Sequence, residues 1–136
     1  MSLLTPSLLQ ENMAMLADWE ERYGYVLDLA KTLPVLPDEA KTDEHIVQGC
    51  TAQVWLLPQA ADVGRISFLA DSDAQLVRGL IAILQAVYGG QTADFAKNFD
   101  IEGYFKQLGL AEHLSPNRRS GFFAMVGRIK SLADRG

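Results

Sequence analysis

The stretch His45-Ile46-Val47-Gln48-Gly49-Cys50-Thr51-Ala52-Gln53-Val54-Trp55-Leu56-Leu57 decides the fold. Both of its ends are short runs rich in β-branched, aromatic and aliphatic residues, the composition of half-buried strands. Between them Gly49 permits backbone angles closed to other residues, so the sequence predicts a tight turn with Cys50 at its tip. Residues 45–47 and 53–57 are two predicted strands. A third is predicted over residues 65–70, where Ile66, Phe68 and Ala70 alternate onto one face. Asp62-Val63-Gly64 supplies turn chemistry between the last two.

On either side of this block the hydrophobic period changes to that of helices. Upstream, Thr5 is a cap with Pro6 at the first helical position, and Leu8, Leu9, Met13 and Leu16 make an apolar stripe. Asp18 with Glu21 three residues on reads as the start of a second helix, whose face runs through Tyr23, Val26, Leu27, Ala30 and Leu33 to Pro34. Pro34 and Pro37 then mark an irregular connection to Asp43. Downstream, Asp71-Ser72-Asp73 offers capping oxygens to an almost wholly apolar helix, from Leu76 to Val87, that ends at Gly89-Gly90. An apolar face that wide predicts a central, buried helix. Further helices are predicted over residues 92–97, 101–108 and 115–133, the last with Phe122, Met125, Val126, Ile129 and Leu132 inward. The expected fold is therefore α+β: a small three-stranded antiparallel sheet packed against several helices, in a single domain over residues 1–136.

A chain of 136 residues with 49% apolar and 21% charged residues is long and apolar enough to bury a core without disulfides or metals. Its net charge of −5 offers no broad basic surface for phosphates, so nucleic acid is not an expected partner. No apolar run approaches the roughly 20 residues of a membrane span, and residues 1–10 lack the features of a signal peptide. A cytoplasmic location is expected. With Cys50 the only cysteine, no CxxC pair, intramolecular disulfide or all-cysteine metal site can form within one chain. His45 and His113 show no zinc-ligand spacing.

The block around Cys50 resembles the SufE family, including its CsdE branch. Val47-Gln48-Gly49-Cys50 followed by Val54-Trp55 is similar to the signature around that family's sulfur-accepting cysteine. Further matches follow in family order: Trp19-Glu20 with Tyr23, Leu33-Pro34 with Leu36, Asp71-Ser72-Asp73 then Val77 and Gly79-Leu80, and Leu114-Ser115-Pro116 with Arg118 and Gly121. Thr51-Ala52, Ala70 and the segment Arg118-Arg119-Ser120-Gly121 depart from the family pattern. The resemblance implies a SufE/IscU-like fold and a carrier whose Cys50 takes sulfur from the persulfide of a SufS- or CsdA-type cysteine desulfurase, stimulates that enzyme and relays sulfur to a cluster-assembly scaffold. Pyridoxal phosphate would belong to the desulfurase, and the carrier itself would hold no cofactor and no metal. The resemblance also gives Asp73 and Arg118 supporting or partner-contact roles. Read from the residues alone, Asp73 is equally a helix cap and Arg118 a surface cation.

The apolar neighbours Val47, Val54 and Trp55 are candidates for a pocket that shelters a persulfide, and Trp19 and Trp55 read as core anchors. Other classes stay open at this point. A cysteine hydrolase would need His45 or His113 as base, and the sequence shows no nucleophile motif for one. An IscU-like scaffold needs several thiolates, where this chain has one. In a plain interaction module Cys50 would be an inert buried residue.

Overall fold

The computed structural model describes residues 5–34, 36–47, 52–60, 62–110 and 112–135. The helices begin where local chemistry dictates. Thr5 accepts from the Leu8 amide (3.1 Å) at the start of α1, Pro6–Ala14. Asp18 accepts from the Glu21 amide (3.0 Å) at the start of α2, Trp19–Leu29, while the Glu21 carboxylate reaches back to the Ala17 amide. After a short 3-10 turn at Ala30–Thr32, an irregular stretch with two more such turns leads to the sheet.

Among the described residues the sheet has two strands, β1 (Val54–Pro58) and β2 (Phe68–Ser72), antiparallel with Val54 opposite Ser72 and Pro58 opposite Phe68. The expected strand at 45–47 is reduced to one bridge, Ile46 opposite Trp55. Its beginning is consumed by a 3-10 turn at Asp43–His45, which the His45 ring fastens by donating Nδ1–H to the Ala40 carbonyl (2.8 Å). The expected strand at 65–70 is also divided. Arg65 bridges Thr92, and Ile66 exchanges hydrogen bonds with Gln91 and Gly90 (2.9 and 2.8 Å), so this part of the chain pairs with the far end of the next helix instead of with β1. The turn at 62–64 forms with Gly64 at a φ of 80°.

Asp71 and Ser72 belong to β2 and do not cap the helix that follows. That helix, α3 (Gln75–Tyr88), starts from Ala74 without a side-chain cap. Strand alternation explains the difference: Phe68, Ala70 and Ser72 face the core, while Leu69 and Asp71 face away. Three more helices follow among the described residues: α4 (Ala93–Asn98), α5 (Ile101–Gln107) and α6 (Pro116–Arg135).

The apolar helix is central, as its composition predicts. α3 touches β2, α1, α2 and α6, and Leu80, Ile81, Ile83, Leu84 and Val87 are buried. Burying each such side chain stabilises the fold by about 1.5–3 kcal/mol, so this helix is the main source of cohesion. Gly79 lets it cross α2 closely: a Cβ there would stand 2.6 Å from Val26 Cγ1 and nearer still to the Val26 carbonyl oxygen. Trp19 packs on the edge of this core, stacked on His113 (4.7 Å between ring centres), whereas Trp55 lies on the outer face of the sheet with Lys41 Nζ 5.7 Å from its ring. Strand alternation sends Trp55 away from the core that its hydrophobicity led us to expect.

Two buried phenols make the fold sensitive to alkali. Burial pushes the Tyr88 phenol up to about 12, and its hydroxyl has no hydrogen-bond partner among the described residues. Burial, with a smaller contribution from Tyr25, also pushes Tyr104 up to about 12; its hydroxyl donates to the Pro6 carbonyl (2.7 Å). The unfolded chain loses these protons near pH 10, before the native chain does, so the stabilisation is complete below about pH 10 and declines as the pH rises towards 12. Urea midpoints should be level up to about pH 9 and fall beyond about pH 10. A level profile through that window would contradict this account of the two tyrosines.

Candidate functional site

The description stops at Val47 and resumes at Ala52, so Gln48, Gly49, Cys50 and Thr51, and with them the expected turn tip, lie outside the described residues. The residues on either side of that segment are tied together by hydrogen bonds. Val47 donates its amide to the Val54 carbonyl (2.9 Å), which joins the two sides of the segment. On the exit side Gln53 is held through both backbone groups. Its amide donates to Asp73 Oδ1 (3.1 Å), and its carbonyl accepts from Ser72 Oγ (2.7 Å) and the Asp73 amide (3.2 Å). Ser72 is the buried polar residue of the core among the described residues, and its hydroxyl oxygen also accepts from the Ala74 amide (3.1 Å), so it is satisfied as both donor and acceptor.

Beside this anchored base lies a cavity of about 320 Å³. Ala52 and Val54 form its side nearest the cysteine segment, Val77 and Leu80 of α3 its floor, and Phe122 and Met125 of α6 an apolar wall. Ser115, Asn117 and Arg118 add polar groups at the start of α6, where Ser115 Oγ accepts from the Arg118 amide (3.2 Å). Covalent connectivity alone keeps Cys50 within two residues of Ala52, about 7 Å at full extension, and within three of Val47, about 10 Å. The cavity itself is mostly apolar and bears one half-buried cation, Arg118. Apolar walls disfavour a thiolate and a neighbouring cation favours one, so the two parts of this cavity would act in opposite directions on a thiol that entered it.

The residues singled out in the sequence are distributed as follows. Asp73 binds the Gln53 amide and does not cap a helix. Arg118 lines the cavity. Val54 lines it too, but Val47 is buried in the main core and Trp55 faces away from it, so the pocket is not the one drawn from those three side chains. His45 is engaged with Ala40, and His113 stacks on Trp19. Among the described residues no group of three or more His, Cys, Asp or Glu side chains could hold a metal ion. Sequence reasoning named Ser72, Leu80, Gly121 and Met125 but assigned none of them to the site. The signal for the last two was available in part, because Arg118, Gly121, Phe122 and Met125 recur at the spacing of one helix face.

The comparisons with known proteins bear on the same region. Residues 7–133 match the family model SufE, described as an Fe-S metabolism associated domain. The chain belongs to the SufE family. An uncharacterized SufE-like protein of Rhizobium meliloti (strain 1021) is 42% identical to this SufE-family chain over 127 residues, covering 91% of each. The fold is also that of a hypothetical protein from Thermus thermophilus known from a solution structure, with a TM-score of 0.76 at 18% identity over 96% of this chain and 93% of the other. Membership ties the chain to iron–sulfur metabolism. Among the described residues no helix is long and apolar enough to cross a membrane.

Proposed function

We propose that this SufE-family chain is a sulfur carrier that accepts persulfide sulfur on Cys50 from a SufS- or CsdA-type cysteine desulfurase, stimulates that enzyme and hands the sulfur on towards cluster assembly. The observation that supports this best is the anchored base of the cysteine segment beside a cavity within covalent reach of the thiol. The Cys50 thiolate attacks the outer sulfur of the desulfurase persulfide. A bond forms between Sγ and that sulfur, the sulfur–sulfur bond on the desulfurase breaks, and the desulfurase cysteine leaves as a thiolate. The transferred sulfur keeps its oxidation state, so no external oxidant is needed. Because Cys50 has no second thiol beside it in the chain, the cargo is not expelled by an internal disulfide.

In this reading Asp73 holds the exit of the cysteine segment, and Arg118 offers a cation either to the sulfur or to the partner. The chain acts as one domain, residues 1–136, holds no cofactor, and works in the reducing cytoplasm. Pyridoxal phosphate belongs to the desulfurase. An acidic chain of net charge −5 would be steered by a basic patch on that partner, with an association rate that falls as salt is added. Intact mass spectrometry after incubation with a cysteine desulfurase, pyridoxal phosphate and free cysteine tests the proposal. We expect the mass of one added sulfur, removed by dithiothreitol. No adduct with either a SufS-like or a CsdA-like enzyme would overturn it.

A further inference from the structure

One arginine outside the resemblance and outside the cavity holds the chain just before the cysteine segment, at Ile46. Arg128, half-buried on α6, donates from Nη1 to the Ile46 carbonyl at 3.1 Å, across 82 positions of sequence. Ile46 sits in the isolated bridge opposite Trp55, and the next residue, Val47, is the last before the cysteine segment. Among the described residues the entry side therefore has little ladder of its own: one bridge, to which the Val47 to Val54 hydrogen bond belongs, and this guanidinium. The exit side, by contrast, continues directly into β1 and is held at Gln53 by Ser72 and Asp73.

Arg128 also stands in register with the cavity wall. Residues 118, 121, 125 and 128 follow one another by three, four and three along α6, so they share a face. The helix face that bounds the cavity thus ends, one turn on, in the group that holds Ile46.

We propose that Arg128 is a positioning residue for Cys50: by fixing the Ile46 carbonyl to the helix that walls the cavity, it sets where the cysteine segment starts relative to that cavity. This rests on the carrier reading for its consequence in sulfur transfer, but its geometric content concerns the thiol alone. A charged donor gives directional restraint that the single bridge lacks. Lysine, a shorter point charge with freely rotating donors, keeps part of that restraint, and methionine keeps only the bulk.

The test uses the whole chain as wild type, Arg128→Met, Arg128→Lys and a control, Arg65→Met, which removes a comparable arginine-to-carbonyl hydrogen bond at Gly90. Two rates are measured: alkylation of the lone Cys50 by iodoacetamide, and single-turnover sulfur acceptance from a desulfurase over a range of carrier concentrations. Urea midpoints accompany both. For Arg128→Met we expect alkylation to quicken and the saturating rate of acceptance to fall, each by on the order of tenfold, the lower end of what loss of one charge-assisted hydrogen bond would produce. Arg128→Lys should recover part of both, and Arg65→Met should change neither. If Arg128→Met lowers the urea midpoint no more than Arg65→Met does and leaves both rates at the wild-type value, the proposal is overturned. If Arg128→Met is too unstable to assay, Arg128→Lys decides, and unchanged alkylation there overturns it equally. A wild type that accepts no sulfur would defeat the carrier reading, while the alkylation arm would still decide the role of Arg128.

Discussion

Cys50→Ser is expected to abolish sulfur acceptance, to the level of a reaction without carrier. The exchange of sulfur for oxygen is small in volume, but it removes the chemistry. A serine hydroxyl is not ionised near neutral pH, whereas an ordinary thiol with a pKa of about 8.5 already supplies a few per cent of thiolate at pH 7. Nor does oxygen form a stable chain with the transferred sulfur. Because Cys50 is the only cysteine, no neighbouring thiol can substitute for it. The measurement is desulfurase turnover with and without carrier, read as sulfide and alanine released, together with circular dichroism to verify the fold. Stimulation by Cys50→Ser equal to that by wild type would mean that the chain activates the enzyme by contact alone and carries nothing.

Gly79→Ala should be the most destabilising single-methyl change among the described glycines. The added Cβ meets the Val26 side chain at 2.6 Å and also Val26's carbonyl oxygen, which is already occupied as the acceptor for the Ala30 amide at the end of α2. Neither can yield without separating α2 from α3. Overpacking of this kind costs about 1–3 kcal/mol and more when backbone must move, against about 1 kcal/mol gained from alanine's better helix propensity. We expect a net loss of about 2 kcal/mol, which lowers the melting temperature of a chain this size by roughly 6–10 °C. Gly24→Ala on α2 is the counterpart. A Cβ there has nothing within 4 Å, so only the propensity gain remains and stability should rise by up to about 1 kcal/mol. Equal melting temperatures for the two variants would refute the close-crossing account.

Much of this architecture was legible because it is decided locally. Thr5 and Asp18 announce helix starts through oxygens three residues from the amides they bind, and the wide apolar face of α3 requires burial over most of its surface. The errors lie where distant partners compete for one segment. Asp71-Ser72-Asp73 has the composition of a cap, yet Val54 and Trp55 recruit Ser72 and Asp71 into a ladder, and Asp73 turns back to Gln53. Ile66 has the composition of a strand continuing to Phe68, yet Gly90 and Gln91 take its hydrogen bonds. A window of adjacent residues holds no information about either partner.

The candidate site shows the same division. Cys50 stood out from its neighbours in the chain, and the family match covers it. The cavity is assembled from Ala52, Leu80, Phe122 and Met125, which are brought together by the packing of α3 and α6 and not by any motif. Trp55 shows the limit most clearly, since hydrophobicity suggested a pocket residue and the period of a strand put it on the other face. Arg128, ten residues beyond Arg118 on the same helix, gave no signal until Ile46 was seen beneath it.

The central claim is that this chain carries sulfur, which requires both acceptance and release on Cys50. A pulse–chase with radiolabelled cysteine measures both. The carrier is loaded by a desulfurase, separated from enzyme and free cysteine, and then mixed with an apo cluster scaffold. The account predicts label on the wild type, none on Cys50→Ser, and passage of the label to the scaffold in the chase. Label that never enters the wild type, or that enters equally with Cys50 replaced, would contradict it.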